Sequence, residues 1–367
     1  MKTGPRLLLI ALLATCGYLA APAGSANAIS LPGMVLTSAP APLPPPLTGL
    51  ATGKRINYVS TDVHGALITA TALIMTPKTG KQNRIAAWAH GTTGLADKCA
   101  PSTSQSVFWP EARDAVAALL GSGFTVAAPD YPGLGTAQSH PYLVGASEAR
   151  ATIDAVKAAR NLDSSLSTQY VVDGHSQGGA AAVFANQIAA GYDGNLVLKG
   201  TASIAPVSAI PLLAEVIPGT PIQGYLVMGL YGLNAVDPLF NPNSVLAPQA
   251  KTKQAVLTSG CLNEILASYQ SLTASQLLVG GALPASVVAK LTSYDEPGQT
   301  TTTAPVLLVQ GTADTTIPVE LTRDMLFPLL DSYAPPVTYY EVPNGTHDSA
   351  VTSSAGYVAT WLAALFS

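Results

Sequence analysis

The chain has 367 residues, of which 48% are hydrophobic and only 10% charged, with a formal net charge of −4. A slightly acidic chain without a cluster of Lys and Arg excludes nucleic acid as a partner. The rest of the composition gives a rich supply of core and fits a compact exported enzyme as well as it fits a sugar- or protein-binding module.

The first residues read as an export signal. Lys2 and Arg6 supply the positive start, residues 7–13 the apolar stretch, and Ala26-Asn27-Ala28 a small-x-small cleavage site. Cleavage after Ala28 makes the protein secreted, and the apolar run is too short for the ~20 residues that span a bilayer. Lipid attachment at Cys16 is the minor alternative. Cys99 and Cys261 remain after cleavage, and in an oxidising compartment two such cysteines most simply pair with each other. Two buried free thiols are the alternative.

Residues 29–50 carry Pro40, Pro42, Pro44, Pro45 and Pro46, which predicts an extended arm without a core of its own. Strand-like runs at 55–61 and 66–76, separated by Asp62-Val63-His64-Gly65, predict an antiparallel hairpin. Strand and helix patterns then alternate. Strands are expected at 85–89, 124–128, 170–172 and 201–205, with helices at 111–120, 147–161 and 180–190. This order implies a mostly parallel sheet with helices on both faces. Between residues 206 and 303 the alternation breaks, and helices are expected at 249–258, 263–271 and 274–279. It resumes with strands at 305–310 and 337–342 and helices at 319–332 and 349–365. An insertion at that place sits over the carboxyl ends of the strands, where ligands bind, and reads as a cap. The expected organisation is a signal peptide at 1–28, an arm at 29–50, a core in two parts at 51–206 and 304–367, and a cap at 207–303.

The chemistry starts at Tyr170-Val171-Val172-Asp173-Gly174-His175-Ser176-Gln177-Gly178, an apolar strand running into G-x-S-x-G and a small-residue helix. In that context Ser176 is a presented nucleophile, with helix N–H groups aimed at charge developing on a substrate oxygen. A serine hydroxyl needs a base, and the base needs a carboxylate that fixes its tautomer. His347 is the one histidine after Ser176, in the turn-rich Pro343-Asn344-Gly345-Thr346-His347-Asp348. Asp314 follows the 305–310 strand directly and is the expected acid, with Asp348 and Asp295 as rivals. The oxyanion donors are expected to be the N–H of Gln177 and a donor from His90-Gly91-Thr92-Thr93-Gly94. Thr92 is the choice there, ahead of Gly91 and of His90, which more naturally holds the loop from beneath. Asp130 is expected to cap backbone N–H groups, and Tyr131 is a candidate for lining the substrate pocket.

With these residues in place the chain resembles the secretory lipase family of α/β-hydrolases, which includes yeast lipase A-type enzymes and exported bacterial lipases. The resemblance runs through Ala89-His90-Gly91-Thr92-Thr93-Gly94, Cys99-Ala100-Pro101-Ser102, Asp130-Tyr131-Pro132-Gly133-Leu134-Gly135 and Glu148-Ala149-Arg150-Ala151. It continues through Gly174-His175-Ser176-Gln177-Gly178-Gly179, Gly311-Thr312-Ala313-Asp314 and Thr346-His347-Asp348. It implies an α/β-hydrolase fold with a helical cap over the acyl site, hydrolysis of acylglycerols or simpler esters, no metal and no cofactor. The leading expectation is a triacylglycerol lipase that meets a lipid interface transiently. An esterase for short or non-lipid esters, an exported peptidase and a binding protein on a hydrolase scaffold are the rivals. The cap's apolar stretches around Leu226 to Leu230 and Leu277 to Val279 are expected to contribute the acyl-binding wall, although most of these side chains build the cap's own core.

Overall fold

The computed structural model describes residues 31–367, with positions 1 and 4 before them, so the export signal and Cys16 lie outside the described residues. The described residues build a nine-stranded sheet in the order β1-β2-β3-β5-β4-β6-β7-β8-β9. Its first half is β1 (Val35–Ala41), β2 (Ala51–Thr61), β3 (Leu67–Pro77), β4 (Ile85–Ala89) and β5 (Thr125–Pro129). The second half is β6 (Gln169–His175), β7 (Val197–Ile204), β8 (Val306–Gly311) and β9 (Val337–Val342). The pairs β1/β2, β2/β3 and β3/β5 are antiparallel, and every pair from β5 to β9 is parallel.

Helices α1 (Leu47–Leu50), α2 (Pro110–Gly121), α3 (Gly145–Leu162) and α4 (Gln177–Tyr192) belong to the sheet layers, as do α12 (Phe327–Asp331) and α13 (His347–Ala364). Strands buried on both faces must be apolar at successive positions, which is why β4 reads Ile-Ala-Ala-Trp-Ala. Trp88 and Ala86 point into a core with Leu119 of α2 and Val358 of α13. Ile85 and Ala87 point into the opposite core with Ile153 and Val156 of α3. Between β4 and β6 the connections reverse direction, and a crevice opens there at the carboxyl ends of the strands.

Two expectations need correction. The Pro-rich arm is not a separate extended strap: its residues 35–41 form edge strand β1, with Pro40 opposite Lys54. Proline is tolerated at a sheet edge because its missing N–H is not needed there, and Leu43 and Leu47 are buried in the core shared with α2. The region from 207 to 303 also holds more helix than expected. It contains α5 (Ile210–Val216), α6 (Gly224–Val236), α7 (Pro248–Lys251), α8 (Val256–Ser259), α9 (Leu262–Tyr269), α10 (Ala274–Leu277) and α11 (Ala285–Asp295). Helices α5, α6 and α11 were not foreseen. Pro211 sits in the first turn of α5, where proline fits, and not as a breaker. One glycine of α6 serves close packing: a Cβ on Gly232 would lie 2.2 Å from the Tyr142 carbonyl oxygen. The expected helix at 249–258 is instead the two short helices α7 and α8. All of these helices share one apolar cluster that includes Leu230, Leu246, Ile265, Leu277 and Leu278. Among the described residues no helix is long and apolar enough to cross a membrane.

Candidate active site

Ser176 stands between β6 and α4 with φ 58° and ψ −117°, a backbone conformation that costs a non-glycine residue energy. The surroundings hold it there. Its N–H donates to Ile204 O at 2.9 Å, and its carbonyl accepts from Ala180 N at 3.1 Å. The turn is tight enough that a Cβ on Gly174 would lie 2.1 Å from Gly178 O, and one on Gly178 would lie 1.9 Å from Ala89 O. These two positions admit only glycine, which brings β4, β6 and the start of α4 together under the serine.

His347 opens α13, after Thr346, whose hydroxyl accepts from Ser349 N and so caps the helix. The His347 Nδ1 lies 2.7 Å from Asp314 Oδ2. Asp314 is buried and held on both sides. Its Oδ1 accepts from Thr316 N at 2.8 Å and Ile317 N at 2.9 Å, and its Oδ2 also accepts from Gln310 Nε2 at 3.0 Å. Of the rivals, Asp348 is exposed in the first turn of α13, close to His347 but with no hydrogen bond to its ring, and Asp295 is buried at the end of α11. With Nδ1 protonated toward the carboxylate, His347 keeps Nε2 as a base.

Ser176, Thr92, Tyr142, Tyr225, Thr316 and Asp295 share a cavity whose other walls are mainly aliphatic. Thr92 therefore reaches the site, with its Oγ1 2.8 Å from the Tyr142 hydroxyl and its carbonyl accepting from Trp109 Nε1 at 3.1 Å. Tyr131 is not part of the wall. It is buried with φ 66°, donates to His90 O at 3.0 Å, and packs against the His90 ring with centroids 4.3 Å apart, so that both support the 90–94 loop from below. Asp130 does what was expected of it, accepting from Ser102 N at 2.8 Å and from the Thr71 hydroxyl. The apolar wall also differs from expectation. Leu226 lines the cavity together with Ile210, Leu213 and Ile217, whereas Leu277 and Leu278 are buried among the helices and Val279 is 59% exposed.

A polar network behind Gln177 escaped sequence reasoning. His140 is fully buried, which pushes its imidazole down to about 3 and keeps it neutral. Its Nδ1 faces Pro132 O at 2.8 Å, so the Nδ1–H donates there and Nε2 is left to accept from Gln177 Nε2 at 3.3 Å. The second amide hydrogen of Gln177 goes to Glu148 Oε1 at 2.6 Å, which also accepts from Leu143 N at 2.9 Å. Burial pushes the Glu148 carboxyl up to about 8. Oε2 of Glu148 has no partner, in keeping with a proton on that oxygen. Each N–H in this chain has an acceptor, and Gln177, the residue after Ser176, is anchored through its side chain.

His175 packs against the His347 ring at 4.5 Å, with its Nε2 3.1 Å from His347 O. Burial and the neighbouring imidazole hold His175 well below the usual histidine range. The ligating atoms of His175, His347 and Asp348 lie within 4.8 Å of one another. On the far side of the 90–94 loop, the sulfurs of Cys99 and Cys261 lie 2.06 Å apart, joining positions 162 residues apart in the chain.

Comparison with known proteins agrees with this geometry. The secreted triacylglycerol lipase LIP4 of Malassezia globosa is 29% identical over 193 residues, a match that takes in 50% of this chain and 41% of that protein's length. Candida antarctica lipase A in its closed state superposes with a TM-score of 0.72 at 17% identity, over 87% of this chain and 78% of that one. The rice cell wall degrading esterase LipA from Xanthomonas oryzae superposes with a TM-score of 0.71 at 19% identity, over 91% of this chain and 97% of the other. These two likenesses concern the fold, which is that of the α/β-hydrolases. The secretory lipase family model matches residues 110–367, a stretch that contains Ser176, Asp314 and His347 and starts after Thr92 and Cys99. The chain belongs to the secretory lipase family.

Proposed function

We propose that the protein is a secreted serine hydrolase that cleaves carboxylic esters, with acylglycerols as its main substrates, through a Ser176-His347-Asp314 triad. The observation that carries this reading is the bond between His347 and Asp314 beside an apolar cavity that Ser176 also lines. In the first step His347 Nε2 takes the proton of Ser176 Oγ as that oxygen attacks the ester carbonyl carbon. The oxyanion so formed is held by the N–H groups of Gln177 and Thr92, each worth on the order of 10²–10³ in rate. His347 then protonates the departing alkoxide, leaving an acyl group on Ser176, and water activated by the same imidazole releases the acid. The aliphatic wall receives the acyl chain, each buried methylene contributing about 0.8 kcal/mol.

A second reading, an esterase for short or non-lipid esters, has the polar part of the cavity wall in its favour, since Thr92, Tyr142, Asp295 and Thr316 line it beside the aliphatic residues. Rates on p-nitrophenyl butyrate, p-nitrophenyl palmitate and emulsified triglyceride separate the two readings. Ser176→Ala tests them jointly. It is expected to lower turnover by about four to six decades while the protein stays folded, and near wild-type turnover would end the serine-hydrolase reading.

A further inference from the structure

Ester cleavage accounts for the reactive end of the cavity and leaves one lining residue without a role. Asp295, the last residue of α11, is 4% exposed and lines the same cavity as Ser176. Around it the wall is aliphatic, including Leu213, Leu226 and Leu291. A carboxyl in such company costs desolvation energy unless something bonds to it. Its neighbour Glu296 is accounted for: Oε1 accepts from Ala209 N at 2.9 Å and Oε2 from Ile210 N at 2.6 Å, closing the start of α5. Asp295 differs. Among the described residues no hydrogen bond reaches its carboxyl, and burial pushes it well above the usual carboxylate range. The nearby Tyr142 hydroxyl is already engaged with Thr92.

On the ester-hydrolase reading above, we propose that Asp295 is a substrate-binding residue whose carboxyl hydrogen-bonds an oxygen substituent, above all a hydroxyl, on the acyl chain. The preferred substrates are then esters of hydroxylated acids and not of plain alkanoic acids. A neutral carboxylic acid has one O–H to donate and lone pairs to accept, which a hydroxyl matches in both senses. A plain chain in the same place buries the carboxyl against methylenes and leaves it unpaired. That asymmetry is what gives a polar site its discrimination: an analogue lacking the hydroxyl is rejected far more strongly than an apolar wall tells two chains apart. A substrate amine is disfavoured, because it needs the carboxylate form, and the burial of Asp295 in a mainly aliphatic wall opposes that form.

The test is kcat/KM by pH-stat on methyl octanoate, its mono-hydroxylated analogues with the hydroxyl walked along the chain, and methyl aminooctanoate. It is run on the wild type, Asp295→Leu and Asp295→Asn. The wild type is expected to favour one hydroxyoctanoate over octanoate by about tenfold or more. Asp295→Leu should invert that order, losing on the hydroxy ester by on the order of tenfold to a hundredfold and gaining on octanoate. Asp295→Asn, which keeps a donor and an acceptor, should retain the preference. A wild type without a hydroxyl preference, a preference for the amine, or an equal loss on all esters in the folded variants overturns the proposal alone. Failure of the wild type to hydrolyse any of the esters overturns the ester-hydrolase reading and the proposal together.

Discussion

Replacing Asp314 by Asn tests the proposed acid with almost no change of shape. Four donors converge on this carboxylate. Thr316 N and Ile317 N reach Oδ1 at 2.8 and 2.9 Å, and Gln310 Nε2 and His347 Nδ1 reach Oδ2 at 3.0 and 2.7 Å. The backbone donors cannot rotate, so an asparagine must turn its carbonyl to them and its NH₂ toward Gln310 and His347. Gln310 cannot give way either, because its Oε1 accepts from the Thr322 hydroxyl at 2.8 Å and its Nε2 also donates to Ile317 O at 3.0 Å. A donor then faces Nδ1, and the imidazole settles in the tautomer protonated at Nε2, with Nδ1 accepting. That form cannot take the Ser176 proton. In a triad of this kind the wrong tautomer lowers kcat by about 10⁴-fold, or about 5 kcal/mol of transition-state stabilisation. The assay is steady-state hydrolysis of a soluble p-nitrophenyl ester, with circular dichroism to show that the variant is folded. Activity within about tenfold of wild type, or a larger loss in Asp348→Asn, would refute the assignment.

Two further expectations follow from buried or bonded groups. The Glu148 carboxyl is pushed from an ordinary 4.5 up to about 8 by burial, so its contribution to stability is complete below about 4.5 and is lost as pH rises through about 8; Glu148→Gln should flatten that slope, by up to about 1.4 kcal/mol per pH unit, in urea titrations across the range, and identical slopes would count against a buried neutral acid. The Cys99–Cys261 disulfide closes a loop across 162 residues of sequence separation, so changing both cysteines to Ser should cost roughly 4–5 kcal/mol in the chain-entropy account, and unchanged stability or recovery of two free thiols by peptide mapping would refute the link.

Much of the candidate site was legible because its parts are local. A strand, a glycine-flanked serine and a small-residue helix make a turn whose geometry follows from residues 174–178 themselves, and a Cβ at Gly178 meets Ala89 O at 1.9 Å for that same reason. Asp314 and His347 were legible for a related reason: each lies in a turn directly after a strand of a parallel sheet, and parallel strands bring their carboxyl ends to one edge. The Pro-rich arm misled because proline count speaks against a central strand but not against an edge strand, and nothing in residues 35–41 says that β2 will offer them a partner. The cap misled in another way. Its helix α6 is apolar nearly all round, as in Tyr225-Leu226-Val227-Met228, so no periodic face marks it out, and its glycines look like breakers until Tyr142 is packed against Gly232.

The roles that escaped the sequence are set by partners far away in the chain. Gln177 lies 29 residues after Glu148 and 37 after His140, and only the packing of α3 beside α4 puts the three side chains in one line. Glu148 was visible in the sequence merely as an acid in the first turn of a helix, where a carboxylate is ordinarily a solvated favourable charge. Buried, it becomes a neutral acceptor for the amide of the residue that follows the nucleophile. Asp295 makes the same point from the cap. As a sequence position it competed with Asp314 for the role of catalytic acid, yet at the end of α11 it lines the cavity and leaves the histidine to Asp314. The chemistry of a carboxyl in this protein is thus decided by what surrounds it. Four backbone and side-chain donors anchor Asp314 and fit it to orient His347, whereas Asp295, buried in a mainly aliphatic wall with no bond to its carboxyl, is fitted to the substrate contact proposed above.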